Sequence, residues 1–569
     1  MITCGLKLTH DASVALIDDG DLVFSVEIEK LDNRSRYSEV PDLEIVTEIL
    51  ESFGFRPSDV DDWVVDGWDG DRPGTVEVLS HGSPISLAVG PYRESEQCPH
   101  LLMPSATGKF QLGGKFYSYS SHQHVAGHVV SAYCSSPFAA RGEASFVLVW
   151  DGGLFPRLYR VDPATGVENL GALFPVIGHV YATAGHHFGP FRRQVQSPTV
   201  DDLTVAGKLM AYIALGEPRE QVVAVLAREF EHLFTGTGEP ARSYRDRVGG
   251  FGSLFEPSMP PLHGFFDAVE AEVAALGYSD ADALASIHEF LGRQLSRRLT
   301  ERLGELIGGV PQNLCFAGGC ALNIKWNSSI RSLDCVREMW VPPFPNDAGS
   351  AIGGAALAVA RTSGLQAFSW HVRSGPELRP TVELPTGWTK VRCSTSELAA
   401  LIHESGEPVV VLNGRAELGP RALGGRSILA PATSPAMKDK LNTLKGRENY
   451  RPVAPICLEK EAPAVFDPGT PDPYMLFDHD VRPEWRERIP AVVHLDGSAR
   501  LQTVSDTDDA VLAEILHAYR RLSGVPVLCN TSANFNGRGF FPDVLSAIRW
   551  GRVDHVWSAG TLFTRTGQA

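Results

Sequence analysis

ITCGLKLTHDASVALIDDGDLVFSVEIEK, Ile2 to Lys30, is the stretch that decides the fold. ITCGLKL is an apolar run suited to a buried strand, THD is a turn, ASVALIDDG is a second strand closing on a hairpin turn, and DLVFSVEIEK is a third. The same rhythm returns at SFVLVWDGG, Ser145 to Gly153, followed by FPRLYRVD and a PATG turn. Two copies of strand, acidic turn, strand, turn, strand predict an internal duplication.

Duplicated units of this kind build the actin-like, sugar-kinase fold, in which two acidic turns face one nucleotide. Between the copies, EIVTEILESFGF and SSHQHVAGHVVSAYCSS have helical spacing. Downstream, EQVVAVLAREFEHLF and ALASIHEFLGRQLSRRLTERLGELIGG carry apolar residues three and four apart, the stripe of amphipathic helices. QNLCFAGGCALN reads as strand, Gly–Gly turn and helix start. In VPPFPNDAGSAIGGAALAVA a loop with Asp347 precedes a helix of small residues, which suits close packing on a sheet. From Arg361 to Lys390 the text is rich in Pro and Gly without a clear period, which predicts a boundary. The expected organisation is an α/β domain over 1–365, a linker over 366–390 and a second α/β domain over 391–569.

At 569 residues the chain exceeds one hydrophobic core. Its formal charge of −17 argues against a nucleic-acid partner, which needs a basic footprint. Nine cysteines, Cys98 among them, are scattered and odd in number with no CxxC, the usage of a reduced, cytoplasmic protein. The N-terminus meets His10 and Asp11 too early for a signal peptide, and no apolar run reaches the ~20 residues that span a bilayer. No membrane role is expected.

Against that acidic background, GRAELGPRALGGRSILA (Gly414–Ala430) and KGRENYRPVAP (Lys445–Pro455) are basic. Eight Lys and Arg side chains fall between Arg415 and Arg451 against three acids, Glu417, Asp439 and Glu448. A run of charge is more often a solvated face. Here, however, Arg415, Arg421, Arg447 and Arg451 alternate with Gly, Pro and Leu, which suits a concave oxyanion pocket. Arginine forks and glycine-exposed N–H groups both serve phosphate oxygens. NTSAN, Asn530 to Asn534, directs Ser532 and Asn534 to one side of an extended segment. Ser532, Arg500 and Lys445 all suit a nucleotide phosphate.

His124 and His128 stand four apart, so on a helix both imidazoles project from one face and can share a metal. Asp151 and Asp347, both in acidic turns, are the available carboxylate partners. A His2Asp2 set suits iron, manganese or catalytic zinc better than a closed structural zinc site. His10, at the end of the first strand beside Asp11, is the candidate general base, since imidazole titrates near neutrality. AGKLM, with Gly207 and Lys208, and AGGCALN, with Gly318, Gly319 and Asn323, read as glycine turns able to admit a nucleotide.

The ordered set THDAS, HVAGH, VWDGG, GKLM, AGGCALN, NDAGSAIGG, GRAELGPRALGGRSILA, KGRENYRP and NTSAN resembles the O-carbamoyltransferases of the nodulation-protein U and cephalosporin/tobramycin family over essentially the whole chain. The resemblance implies an actin-superfamily, TsaD-like N-terminal domain and a YrdC-like C-terminal domain. It implies iron held by His124, His128, Asp151 and Asp347, and Mg2+ accompanying ATP. Carbamoyl phosphate and ATP would give carbamoyl adenylate in the C-terminal pocket, served by Arg421, Lys445, Arg447, Arg500 and Ser532. A hydroxyl of a small-molecule natural product would then take the carbamoyl group, with His10 as base. A homodimer is the default assembly. Relatives commonly read EER, then Arg and Lys–His, where this chain has EIEKLDNRSRYS (Glu27–Ser38). They also commonly carry His in place of Gln123, and GLAAYG in place of AYIALG.

Other readings are a fused tRNA threonylcarbamoyladenosine enzyme, a sugar kinase and a nucleotide-dependent protein-binding switch. The negative charge counts against tRNA. A sugar kinase leaves the C-terminal arginines unexplained, and a switch would show no dependence on carbamoyl phosphate.

Overall fold

The computed structural model describes residues 1–68, 73–95, 100–192, 200–249, 254–308, 310–381 and 383–566; Cys98 lies outside them. The chain forms two compact units. One comprises Met1–Ser25 and Tyr37–Trp370, the other Val26–Arg36 and His371–Ala569.

In the first unit the opening stretch folds as β1 (Ile2–Lys7), β2 (Ser13–Asp18) and β3 (Asp21–Glu27). β4 (Asp62–Val65) follows, then a hairpin of β5 (Gly74–Ser80) and β6 (Ser83–Val89), then β7 (Ala106–Leu112) and β8 (Lys115–Ser121). The second copy supplies β9 (Ser145–Val149), β10 (Arg157–Asp162), β11 (Gly166–Ala172), β12 (Gln312–Ala317) and β13 (Val336–Trp340). One sheet has the order β3-β2-β1-β4-β8-β7 and the other β11-β10-β9-β12-β13. The first five positions match strand for strand. β1 pairs antiparallel with β2 and parallel with β4; β9 pairs antiparallel with β10 and parallel with β12. The duplication legible in the sequence is therefore present in the topology.

Small residues bring the helices onto the first sheet. A Cβ on Gly5 would lie 1.9 Å from the Ala351 carbonyl oxygen, and one on Gly353 would lie 2.1 Å from that of Gly127. The Gly/Ala-rich helix Ser350–Ser363 is thus pressed against β1 and against the helix His124–Cys134. That packing aims the N-terminal ends of both helices, with His124 and Asp347 nearby, at the end of β1.

The second unit is built on an eight-stranded mixed sheet. Its strands, with a small three-stranded sheet beside it, are β14 (Trp388–Arg392), β15 (Val409–Leu412), β16 (Arg426–Pro431), β17 (Ala454–Leu458), β18 (Phe466–Asp467), β19 (His479–Val481), β20 (Ser498–Ala499), β21 (Gln502–Val504), β22 (Val527–Ser532), β23 (His555–Ser558) and β24 (Thr561–Arg565). The large sheet runs β14-β24-β23-β15-β16-β22-β17-β21, and β18-β19-β20 form the small one. Its core is apolar, centred on Val409–Leu412, Ile428, Ile456 and Val527–Cys529.

Three local expectations change. The third strand ends at Glu27, and Ile28–Lys30 is a 3-10 turn that starts the detour into the second unit. AGKLM is not a glycine turn: Gly207 and Lys208 lie inside the helix Val200–Tyr212. The stretch read as a linker over 366–390 is largely integrated. Arg373 donates to the carbonyls of Asn413 and Leu423 and pairs with Asp509, and Trp388–Lys390 already belongs to β14.

Replacing Gly5 with Val should destabilise the chain by about 1–3 kcal/mol or more, because the added carbon meets backbone. Urea unfolding measures this, and Gly113→Ala, where a Cβ meets nothing within 4 Å but φ is +52°, is the control for backbone strain alone.

Candidate metal centre and anion pocket

Four of the residues singled out for metal binding converge in the first unit. Ligand atoms of His124, His128, Asp151 and Asp347 all lie within 4.8 Å of one another, and all four residues are buried. His124 Nε2 and His128 Nε2 face each other at 3.1 Å. Asp347 Oδ1 is 3.5 Å from each of these nitrogens, and Asp151 Oδ2 is 3.8 Å from that of His124.

Neighbouring groups fix each ligand. His124 Nδ1 hydrogen-bonds Asp66 Oδ2 at 2.7 Å, which turns its Nε2 towards the cluster. Asp151 accepts the Gly319 N–H at 2.7 Å and the Tyr92 hydroxyl. Lys7, 1% exposed, sits between Asp66 (3.2 Å) and Asp347 (3.0 Å), with its ammonium 4.0 Å from the centre of the Trp68 ring. Burial works against a charged His124, but Asp66 and Asp347 hold its imidazole well above the ordinary value. Burial works against a charged Asp347, but Lys7, His124 and His10 hold it well below the ordinary value.

Two ring nitrogens pointing at each other beside carboxylate oxygens need either protons or a cation between them. The mixed nitrogen and oxygen donors fit a divalent transition ion. His10 borders this group: its Nδ1 is 3.1 Å from Asp11 Oδ2 and its Nε2 3.7 Å from Asp347 Oδ2. Asp11 also accepts from the Asn346 side chain at 3.2 Å, so its two carboxylate oxygens are shared between His10 and Asn346.

The other glycine motif packs against the second acidic turn. Gly318, at φ +87°, would place a Cβ 2.4 Å from the Trp150 carbonyl oxygen, so its turn lies directly against the WDGG turn. Asn323 caps the helix Ile324–Arg331 through the Trp326 N–H and meets His288 at 3.2 Å. Lys208 Nζ lies 5.1 Å from the Phe191 ring centre. A further group, His187 with Asp267 and Glu270, is a poorer metal site. Asp267 is 70% exposed, and Arg192 already binds Glu270 at 2.6 Å.

The second unit gathers cations. Lys445 Nζ donates to the carbonyls of Ser532 (2.7 Å) and Asn534 (2.9 Å) and to the Asn534 side chain. Ser532 Oγ donates to Asn534 Oδ1 at 2.7 Å, so the two NTSAN side chains do share one side. Arg447 binds the Thr531 hydroxyl. Burial, reinforced by Arg447, Arg36 and Arg451, pushes Lys445 well below its ordinary value. Burial and Arg451, with Arg36 and Arg421, lower Arg447 to about 9. Burial, with Arg447 and Arg451, lowers Arg500 to about 10, and its Nε is buried without a hydrogen-bond partner. These side chains destabilise one another's charge, which is the electrostatic condition of an anion receptor.

Arg415 stands apart from this group. Its Nε and Nη2 donate to the carbonyls of Gly375 and Ser374, which tether the guanidinium within the fold. Glu417, treated in the sequence as an interruption of positive charge, organises the loop. Its Oε1 accepts the N–H groups of Leu423 (2.7 Å), Gly425 (2.6 Å) and Arg426 (3.2 Å). Asp66, Lys7, Tyr92 and Arg36 were also missed. VVDGW, with Asp66, repeats the strand-then-DG pattern of VWDGG, and Lys7 is the single charge in an apolar strand. Both signals were present in the sequence.

Residues 2–357 match the family described as carbamoyltransferase N-terminus, and residues 399–557 the carbamoyltransferase C-terminus. The chain is 52% identical over 566 residues to nodulation protein U of Rhizobium tropici, covering 99% of this chain and 96% of that protein. It is 48% identical over 570 residues to nodulation protein U of Bradyrhizobium diazoefficiens, covering 100% and 98%. It is 33% identical over 582 residues to the 3'-hydroxymethylcephem-O-carbamoyltransferase of Streptomyces clavuligerus, covering 99% of both.

Asp66→Asn should weaken divalent metal binding about 10–100-fold without removing a ligand, because the hydrogen bond that orients His124 is altered. His128→Ala should lower it further. Competition with a chromophoric chelator reads both; unchanged affinity in His128→Ala would place the ion elsewhere.

Proposed function

Since this chain belongs to the carbamoyltransferase family, we propose that it is an ATP-dependent O-carbamoyltransferase working in two steps. Carbamoyl phosphate, ATP and water give carbamoyl adenylate, pyrophosphate and phosphate at the C-terminal pocket. A hydroxyl of a small-molecule acceptor then attacks the carbamoyl carbon at the N-terminal site, and AMP leaves. The observation that carries the reading is the mutually repelling group of Lys445, Arg447, Arg451 and Arg500 around NTSAN, a receptor for several phosphate charges.

In the C-terminal unit, Lys445 is fixed by three oxygens of Ser532 and Asn534, so its charge needs little reorganisation when phosphate arrives. Arg421, Arg447 and Arg500 would neutralise charge that develops as pyrophosphate departs. The matching strand orders of the N-terminal unit support an actin-like, TsaD-like assignment, and the mixed C-terminal sheet is assigned as YrdC-like. Nucleotide would meet the first unit at the turns of Asp11 and Gly318–Gly319.

At the N-terminal site His10 has the place of a general base. Asp11 accepts a hydrogen bond from its Nδ1, which leaves Nε2 to take the acceptor's proton. His124, His128, Asp151 and Asp347 would hold a divalent cation, iron in our assignment. Such an ion supplies Lewis-acid polarisation and charge neutralisation next to the transferred group. Asp66, Lys7 and Tyr92 keep those ligands oriented and dry. The acceptor is proposed to be a hydroxylated natural product, the chemistry named for the cephem relative. A cytoplasmic homodimer using Mg2+-bound ATP completes the proposal; among the described residues no helix is long and apolar enough to cross a membrane.

Two variants separate the steps. His10→Asn should retain acceptor-independent pyrophosphate release and lose product formation by about 100-fold or more. Lys445→Ala should lose pyrophosphate release by a comparable factor. Loss of both activities in His10→Asn, or normal release in Lys445→Ala, would overturn the assignment.

A further inference from the structure

Val26–Arg36 comes early in the chain, flanked on both sides by residues of the first unit, yet it is part of the second. On one side it grips the turn that begins the arginine-rich loop. Lys30 Nζ, 1% exposed, donates to Glu27 (2.7 Å) and to the carbonyls of Glu417 and Gly419 (2.6 Å each). Glu27 Oε1 also accepts the Gly419 N–H at 2.7 Å. On the other side the segment meets the loop that follows Asn534. The Arg36 N–H donates to the Gly537 carbonyl at 3.0 Å, and the Gly539 N–H donates to the Arg34 carbonyl at 3.0 Å. A Cβ on Gly539 would lie 1.8 Å from the Glu29 carbonyl oxygen.

We propose that the Glu27–Lys30 pair is a positioning clamp for the anion pocket, holding the Glu417–Gly419 turn and thereby aiming Arg421 at the bound phosphate. The identity of that phosphate as carbamoyl phosphate or ATP rests on the reading given above; the clamp itself does not.

The physical grounds are geometric. The turn is held from both faces: Glu417 ties its own carboxylate to the N–H groups of residues 423, 425 and 426, while Lys30 takes the Glu417 and Gly419 carbonyls. Pro420 follows at once and fixes its own φ, so a displacement at Gly419 passes to Arg421 with little slack. A buried ion pair is weak evidence for stability, since an apolar pair of similar volume is often as stable. Such a pair does specify one geometry, because each partner and each carbonyl must be satisfied together. The charge of Arg36, carried by the same segment, also bears on Lys445 and Arg447. The segment therefore touches the supports of Arg421 and of Ser532 and Asn534 at once.

The test uses the full chain with Glu27→Gln/Lys30→Met, which removes both charges and leaves neither uncompensated. Lys30→Arg, Arg421→Ala and the triple combination complete the set. Kinetics of carbamoyl-phosphate-dependent pyrophosphate release give KM and kcat, calorimetry gives the Kd of inorganic pyrophosphate, and thermal unfolding reports folding. A positioning clamp predicts a folded Glu27→Gln/Lys30→Met protein with KM and Kd raised about tenfold or more. It also predicts no further loss when the same change is made in Arg421→Ala, because the pair acts through that residue. Lys30→Arg should stay within about threefold of the parent, since charge and donors remain. Unchanged KM and Kd in the folded double variant, or losses that multiply fully with Arg421→Ala, would overturn the proposal. If the double variant fails to fold, Glu27→Asp, which keeps the ion pair but shortens the reach to Gly419, takes its place with the same expectations. If the parent shows no carbamoyl-phosphate-dependent release, the catalytic reading fails, and the Kd series alone decides the clamp.

Discussion

Buried and partly buried positive charges that disfavour one another are the constraint around which the basic side chains of the C-terminal unit are arranged. Two unit charges 4 Å apart interact by about 4 kcal/mol at an effective dielectric of 20, so a group of this kind persists only where the fold fixes it. The fold does fix it, by giving Lys445 backbone oxygens of the NTSAN strand end and Arg447 the Thr531 hydroxyl. The N-terminal unit solves the opposite problem. Asp66, Asp151 and Asp347 are buried together, and Lys7 with two imidazoles compensates them. One chain thus gathers a cluster of cationic side chains in one unit and a buried carboxylate–imidazole cluster in the other, despite a formal net charge of −17.

Both clusters depend on close backbone approach. Gly5 and Gly353 let the helix Ser350–Ser363 settle onto β1 and the histidine helix, which brings Asp347 to His124 and His128. Gly318 lets its turn meet WDGG, so that the Gly319 N–H reaches Asp151. Gly539 admits Glu29 in the other unit. Larger side chains at these positions would separate polar groups that work only at hydrogen-bond distance.

Most of the scaffold was legible because it is carried by local pattern. Apolar runs closed by acidic turns marked the strands, and the recurrence of THD in WDGG marked the duplication that the two matching sheets display. Helical periodicity at His124 and His128, together with acids in turns, pointed to the four side chains that the fold brings within 4.8 Å of one another. What escaped was long-range. Asp66 hydrogen-bonds a histidine 58 residues away, and Lys30 binds carbonyls nearly 390 residues away. No period or propensity encodes such partners. The bonds of Arg415 and Asn323 within the fold were hidden for a related reason: residue type suggested a ligand contact and gave no sign of the backbone carbonyls and helix end that these side chains also serve. Gly207 and Lys208 fell in a helix because glycine alone does not make a turn.

On the function proposed above, the C-terminal pocket activates the carbamoyl group as an adenylate before any acceptor is engaged. Exchange of labelled pyrophosphate into ATP by metal-replete protein, with and without carbamoyl phosphate and with no acceptor present, tests it most directly. Exchange that requires carbamoyl phosphate is the result predicted here. No exchange, or exchange indifferent to carbamoyl phosphate, would contradict it.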